Sequence, residues 1–174
     1  MREGIYNFDE MSGFDLHDKT LGVVGTGKIG KNSMLIGKGF NMKILGFDLY
    51  PDQNFAKENN IEYVTLNDLL SKSDVITIHA PYNETTHHLI NKENISLMKK
   101  SAILINTARG DIVETHALFE ALKSGKIAGA GLDVFERERK MKQGSIDGLD
   151  LLDLQIIEQN KELIAMENVI ATAT

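Results

Sequence analysis

Short aliphatic runs recur along the chain, each followed by polar turn residues and then a stretch with helical spacing. This alternation predicts strands over 20–25, 43–48, 61–64, 74–79, 102–106, 127–134 and 168–171. Between them it predicts helices over 28–39, 52–59, 66–71, 92–99, 114–124 and 151–162. Thr65 has the character of an N-cap, with Asp68 at the third helical position. Leu118, Phe119 and Leu122 share one helical face, and Gly125 follows as a C-cap. Residues 1–19 are a polar lead-in with one frayed helical turn near Glu3 to Phe8. Residues 136–148 are charged and read as a mobile loop. Strands and helices alternating at these lengths form βαβ units. The expected fold is α/β, a single Rossmann-type doubly wound parallel sheet covered on both faces.

Ligands of such sheets bind beyond the carboxyl ends of the strands. That position selects Gly25 to Ile29, Asp48, His79 to Tyr82, Thr107 to Gly110 and Asp133 to Glu138. The first stretch is a Gly-x-Gly-x-x-Gly turn, Gly25-Thr26-Gly27-Lys28-Ile29-Gly30, set between a strand and a helix as a dinucleotide fingerprint requires. Gly25 allows the tight turn, Gly27 the approach of a pyrophosphate, and Gly30 close packing of helix on strand. The helix N-terminus offers free N–H groups and partial positive charge to the phosphates. Asp48 lies eighteen residues after Gly30, at the end of the second strand. A carboxylate there can accept hydrogen bonds from the adenosine ribose and repels a 2′-phosphate, which favours NAD over NADP. Asp48 also suits a turn before Tyr50-Pro51.

The 174 residues carry a net charge of −6 and no cysteine. Nothing in that balance points to nucleic acid or an anionic membrane. Disulfide and thiolate chemistry are excluded, as suits a reducing cytoplasm. No apolar run approaches the roughly 20 residues of a membrane span. Arg109 could grip a carboxylate bidentately, although on spacing alone an ordinary surface arginine is the simpler reading. Glu136 and Glu138 could hold an imidazole in one tautomer, or belong to a solvated charge run ending at Lys140. His87-His88 lacks the further ligands of a metal site, so no metal is expected, and His116 reads as structural.

Taken together, these stretches resemble the D-isomer-specific 2-hydroxyacid dehydrogenases, in particular the nucleotide-binding domain of the fermentative D-lactate dehydrogenases. The resemblance rests on the glycine turn, Phe47-Asp48-Leu49-Tyr50-Pro51, His79-Ala80-Pro81, His88-Leu89-Ile90-Asn91, Asn106-Thr107-Ala108-Arg109-Gly110 and Gly131-Leu132-Asp133-Val134-Phe135-Glu136. It runs through nearly the whole chain. It implies hydride transfer between NADH and a 2-oxo acid such as pyruvate. It implies that Arg109 binds the substrate carboxylate and that Glu138 pairs with the catalytic histidine. Asp133 would stand near the nicotinamide, and Ala80 and Pro81 on the adenine side. With Gly25, Thr26, Gly27, Lys28, Ile29, Gly30, Asp48, Thr107 and Ala108, these complete the cofactor-binding set. The family's histidine follows Asn168-Val169-Ile170-Ala171-Thr172-Ala173, where this sequence has Thr174, and the family's substrate domain has no counterpart in residues 1–174. The expectation is an NAD-binding domain with little or no turnover. Two competitors remain: a non-catalytic dimerisation or regulatory module, since the family tends to pair through this domain, and a methyltransferase binding adenosylmethionine.

Overall fold

A computed structural model describes residues 13–143 and 148–172. The expected turn near Glu3 to Phe8 and the residue Thr174 lie outside them. Seven strands form one parallel sheet in the order β3-β2-β1-β4-β5-β6-β7. They are β1 (Thr20–Val24), β2 (Lys43–Phe47), β3 (Glu62–Tyr63), β4 (Val75–Ile78), β5 (Ile103–Asn106), β6 (Gly129–Leu132) and β7 (Val169–Ala171). The order reverses between β1 and β4, which is the switch point of a doubly wound sheet.

Crossover handedness decides which face each helix covers. Right-handed connections running from β1 to β3 place α1 (Lys28–Gly39) and α2 (Gln53–Asn59) on one face. There Met34 and Ala56 pack with Leu21, Val23, Ile44 and Val75. After the reversal the same handedness puts the remaining crossovers on the opposite face. α3 (Leu66–Lys72), α4 (Lys92–Ile95), α5 (Thr115–Lys123) and α7 (Leu151–Ala165) follow that course. Leu69, Leu70, Ile95, Leu118, Leu122 and Leu163 join Ile76, Ile78, Leu104, Leu132 and Val169 in the larger core.

Helices cover both faces, as expected, but unequally. Ile105, Gly131 and Ile170 stand in register across β5, β6 and β7 on the α1 side. Ile105 and Gly131 are only half-buried, and Ile170 is 71% exposed. Three crossovers in one direction have all passed over the other face.

The described part of segment 136–148 differs from expectation; residues 144–147 lie outside the described residues. Glu136 is buried, and residues Glu138–Gln143 form a helix, α6. Arg137 and Lys140 hold this segment on the first turn of α7 by pairing with the buried carboxylate of Asp153. The 92–99 helix is shorter than its sequence suggests, ending at Ile95. There the side chain of Asn94 caps backward to Asn91 N–H and donates to Leu89 O.

Two carboxylates tie distant segments together. Asp74 accepts from Thr20 N–H at 2.8 Å and Lys99 Nζ at 2.9 Å, joining the starts of β1 and β4 to the turn before β5. Burial pushes its pKa up, but the bonds from Lys99 and Thr20 outweigh that and hold it below the ordinary value. The Lys140 ammonium lowers that of Asp153, against burial, with help from Asp150 N–H and Arg137. Groups held low when folded stabilise the fold while ionised, above the unfolded value of 3.8. Thermal melts should therefore lose midpoint temperature as pH falls below about 4, and Asp153→Asn should flatten part of that slope. A midpoint independent of pH down to about 3 would contradict these roles.

Candidate functional site

The first βα turn presses backbone against backbone. Gly25 takes φ +87°, in the left-handed region, and its N–H donates to Phe47 O at 2.9 Å. A Cβ on Gly25 would lie 2.4 Å from Ala80 N, so the β1 turn rests on the chain leaving β4. A Cβ on Gly30 would lie 2.0 Å from Gly25 O, so α1 seats directly on the turn. Gly27 differs: a Cβ there meets nothing within 4 Å. It is the N-cap of α1, and no side chain caps that helix or places an acid in its first turn. The first N–H groups of α1 thus face open space, with exposed Lys28 beside them, as an anion site requires.

Asp48 follows β2 at the neighbouring strand end. Its Oδ2 accepts from Thr26 N–H at 2.6 Å and from the Thr26 hydroxyl at 3.0 Å, and its Oδ1 from Tyr50 N–H at 2.9 Å. The turn role and the position beside the glycine loop are thus both present. Burial raises its pKa, but the bonds from Tyr50 and Thr26 prevail and keep it below the ordinary value. These bonds fill most of the roughly four acceptor positions of a carboxylate, and a ribose hydroxyl would take what remains.

Two clefts meet at Ala80 and Pro81. One, of about 200 Å³, is lined by Gly25, Asp48, Tyr50, Thr86 and Leu89 among others. The second, of about 500 Å³, is lined by Ile29, His79, Tyr82, Thr107, Ala108 and Arg109. Arg109 is exposed and donates from Nη1 to Ala108 O at 2.6 Å. His79 is half-buried, with Nε2 3.0 Å from Ser33 Oγ and 3.1 Å from Thr77 Oγ1, and burial pushes its pKa down. Burial thus disfavours the charged form of this imidazole.

Asp133 and Glu138 line neither cleft. Asp133, past β6, accepts from the Thr172 hydroxyl at 2.5 Å, which joins it to the end of β7. Glu138 opens α6. Glu136, weighed as part of a solvated charge run, is instead an organising group. Its carboxylate bonds His88 Nε2 at 3.1 Å and Thr115 N–H at 3.2 Å, and its carbonyl accepts from Asn160. A Cβ on Gly110 would lie 2.2 Å from Glu136 N, so the loop bearing Arg109 packs directly on this residue. Nothing local in the sequence marks a pairing across 48 positions. His87 stacks on His88, and His116 meets Gln159 at 2.8 Å. Among the described residues no group of three or more His, Cys, Asp or Glu could hold a metal ion.

A parallel sheet with an uncapped helix over a glycine turn, and an acid on the next strand, defines a dinucleotide-binding domain. Residues 1–173 match the family model of the D-isomer specific 2-hydroxyacid dehydrogenase NAD binding domain, and the chain belongs to that family. It is 49% identical over 128 residues to a glyoxylate reductase of Korarchaeum cryptofilum, covering 74% of this chain and 39% of the relative. It is 42% identical over 140 residues to a D-lactate dehydrogenase of Escherichia coli, covering 80% and 42%. Among solved structures, D-lactate dehydrogenase from Aquifex aeolicus, complexed with NAD and lactic acid, superposes with a TM-score of 0.83. That pair is 43% identical, covering 94% of this chain and 48% of the other. The chain thus spans about two fifths of the length of these curated relatives. Similarity reaches glyoxylate reductases as well as the D-lactate dehydrogenases expected from the motifs.

The two inner glycines make separable predictions. Gly30→Ala should cost about 3 kcal/mol of stability through backbone overlap. Gly27→Ala should cost under about 1 kcal/mol, as a poorer N-cap, yet weaken NADH binding at least tenfold by standing where a pyrophosphate would approach. Thermal melts and calorimetric titration of both variants separate the two effects.

Proposed function

We propose that the 174-residue chain binds NAD(H) across the switch point and reduces 2-oxo acids slowly or not at all. The uncapped N-terminus of α1, open beside Gly27 and next to Asp48, carries this reading. An adenosine would occupy the cleft at Asp48 and Ala80-Pro81, with its diphosphate against the first turn of α1. The nicotinamide would then reach the larger cleft, near Thr107 and Ala108. Bound NADH supplies the hydride. Arg109, exposed at that cleft, would pair with the carboxylate of a small 2-oxo acid. Glu138 and Asp133 would act from the β6 side, where Glu138 could hold a partnering imidazole protonated. The curated relatives carry about three fifths of their length outside the part matched here, and a general acid supplied from there would be worth a factor of about 10² to 10⁴. The cysteine-free composition supports a cytoplasmic setting.

A second reading, a dimerisation module, is favoured by the half-bare α1-side face with Ile170, and by Ile36 of α1 and Phe40 at its C-cap, 63% and 55% exposed. Apolar surface of this kind marks association sites.

Quenching of protein fluorescence or calorimetry should detect NADH binding. Consumption of NADH with pyruvate or glyoxylate should run at least about a hundredfold below that of a full-length relative. Clear D-lactate formation by the pure chain would refute the claim of inactivity. Light scattering should show a dimer with and without NADH, and a strict monomer in both states would count against the second reading.

A further inference from the structure

We infer that Tyr63, on the edge strand β3, is a positioning residue for cofactor selectivity, acting through Thr26 on Asp48. The inference rests on Asp48 being the ribose ligand of the proposed NAD site.

Tyr63 pairs in register with Gly46 of β2. A Cβ on Gly46 would come within 3.0 Å of the Tyr63 ring and 2.8 Å of Met34 Cε. The bare backbone at Gly46 therefore gives the ring its path across β2 toward the glycine loop. At the end of that path the Tyr63 hydroxyl lies 2.9 Å from Thr26 Oγ1. Thr26 is 4% exposed and meets Asp48 through both its hydroxyl and its N–H.

The direction of the bonds is determined by chemistry. An ionised carboxylate only accepts. Thr26 must therefore give its single hydroxyl proton to Asp48, and Tyr63 must give its own to Thr26. The result is a one-way chain from β3, through the loop after β1, to the acid after β2. Tyr50 N–H secures the other carboxylate oxygen. The carboxylate is held in place before any nucleotide arrives.

Holding matters for selectivity more than for binding as such. Repulsion of a 2′-phosphate depends on a negative charge that cannot turn aside. A carboxylate that loses the Thr26 hydroxyl is held on that side by the Thr26 N–H alone and tilts more readily to accommodate the extra phosphate. Loss of the chain should then reduce the preference for NADH over NADPH, and a simple loosening of the glycine loop would weaken both cofactors alike.

The test is calorimetric titration of the 174-residue chain with NADH and with NADPH. Tyr63→Phe keeps the ring on Gly46 and removes only the donor. Thr26→Val removes the hydroxyl at nearly constant shape, and Thr26→Ser restores it. Tyr63→Phe and Thr26→Val should each lower the NADH:NADPH affinity ratio by about threefold to tenfold, the range for one hydrogen bond. Thr26→Ser should recover it. An unchanged ratio in both variants, with wild type still preferring NADH, overturns the role of Tyr63 and leaves the NAD reading standing. Wild type without any preference overturns the assignment of Asp48 and this inference with it. Carboxyl NMR titration of the ligand-free chain gives a second readout. Thr26→Val should raise the Asp48 pKa, and an unmoved pKa would show that the Thr26 hydroxyl does not hold the carboxylate.

Discussion

The site depends on a contact that leaves no room for a side chain. At the switch point the turn after β1 lies against the chain leaving β4, and the first turn of α1 lies against the turn itself. Gly25 meets Ala80, and Gly30 meets the Gly25 carbonyl, at separations that exclude a Cβ. Packing this close aims the N-terminus of α1 outward and places the Asp48 loop beside it. The larger cleft opens on the other side of Ala80 and Pro81. Backbone contact of this kind is stiffer than side-chain packing, because no rotamer can relax it.

Handedness imposes the second constraint. Right-handed crossovers running in both directions from β1 divide the helices between the two faces, and the division is unequal. The consequence is a well-filled core beneath α3, α5 and α7 and an apolar strip on the opposite side of β5 to β7. The same topology that opens the crevice at the switch point thus also leaves apolar surface exposed on the far strands.

Carboxylates supply much of the remaining order, and each is tuned by donors from distant segments. Asp48 is held by the glycine loop and its own turn, Asp74 by the start of β1 and Lys99, and Asp153 by α6. Glu136 joins His88 to the start of α5 and supports the loop that carries Arg109. Buried and half-buried acids are costly unless they are paired and hydrogen-bonded. Here that requirement cross-links loops that the sheet alone would leave independent.

The sequence by itself determined the seven strands, their parallel sheet, the glycine turn and the positions of Asp48 and Arg109 beyond strand ends. These features follow from local period and composition, which neighbouring residues carry. The tertiary structure alone decided that Glu136 is buried, that 138–143 is helical, that one sheet face is half bare and that Tyr63 reaches Thr26. Each of these depends on residues 13 or more positions apart meeting at a particular register and handedness. A charge run such as Glu136 to Lys140 reads as solvated until the fold brings His88, Thr115 and Asp153 against it. Likewise, a tyrosine in a two-residue strand has no visible role until Gly46 opens a path for its ring.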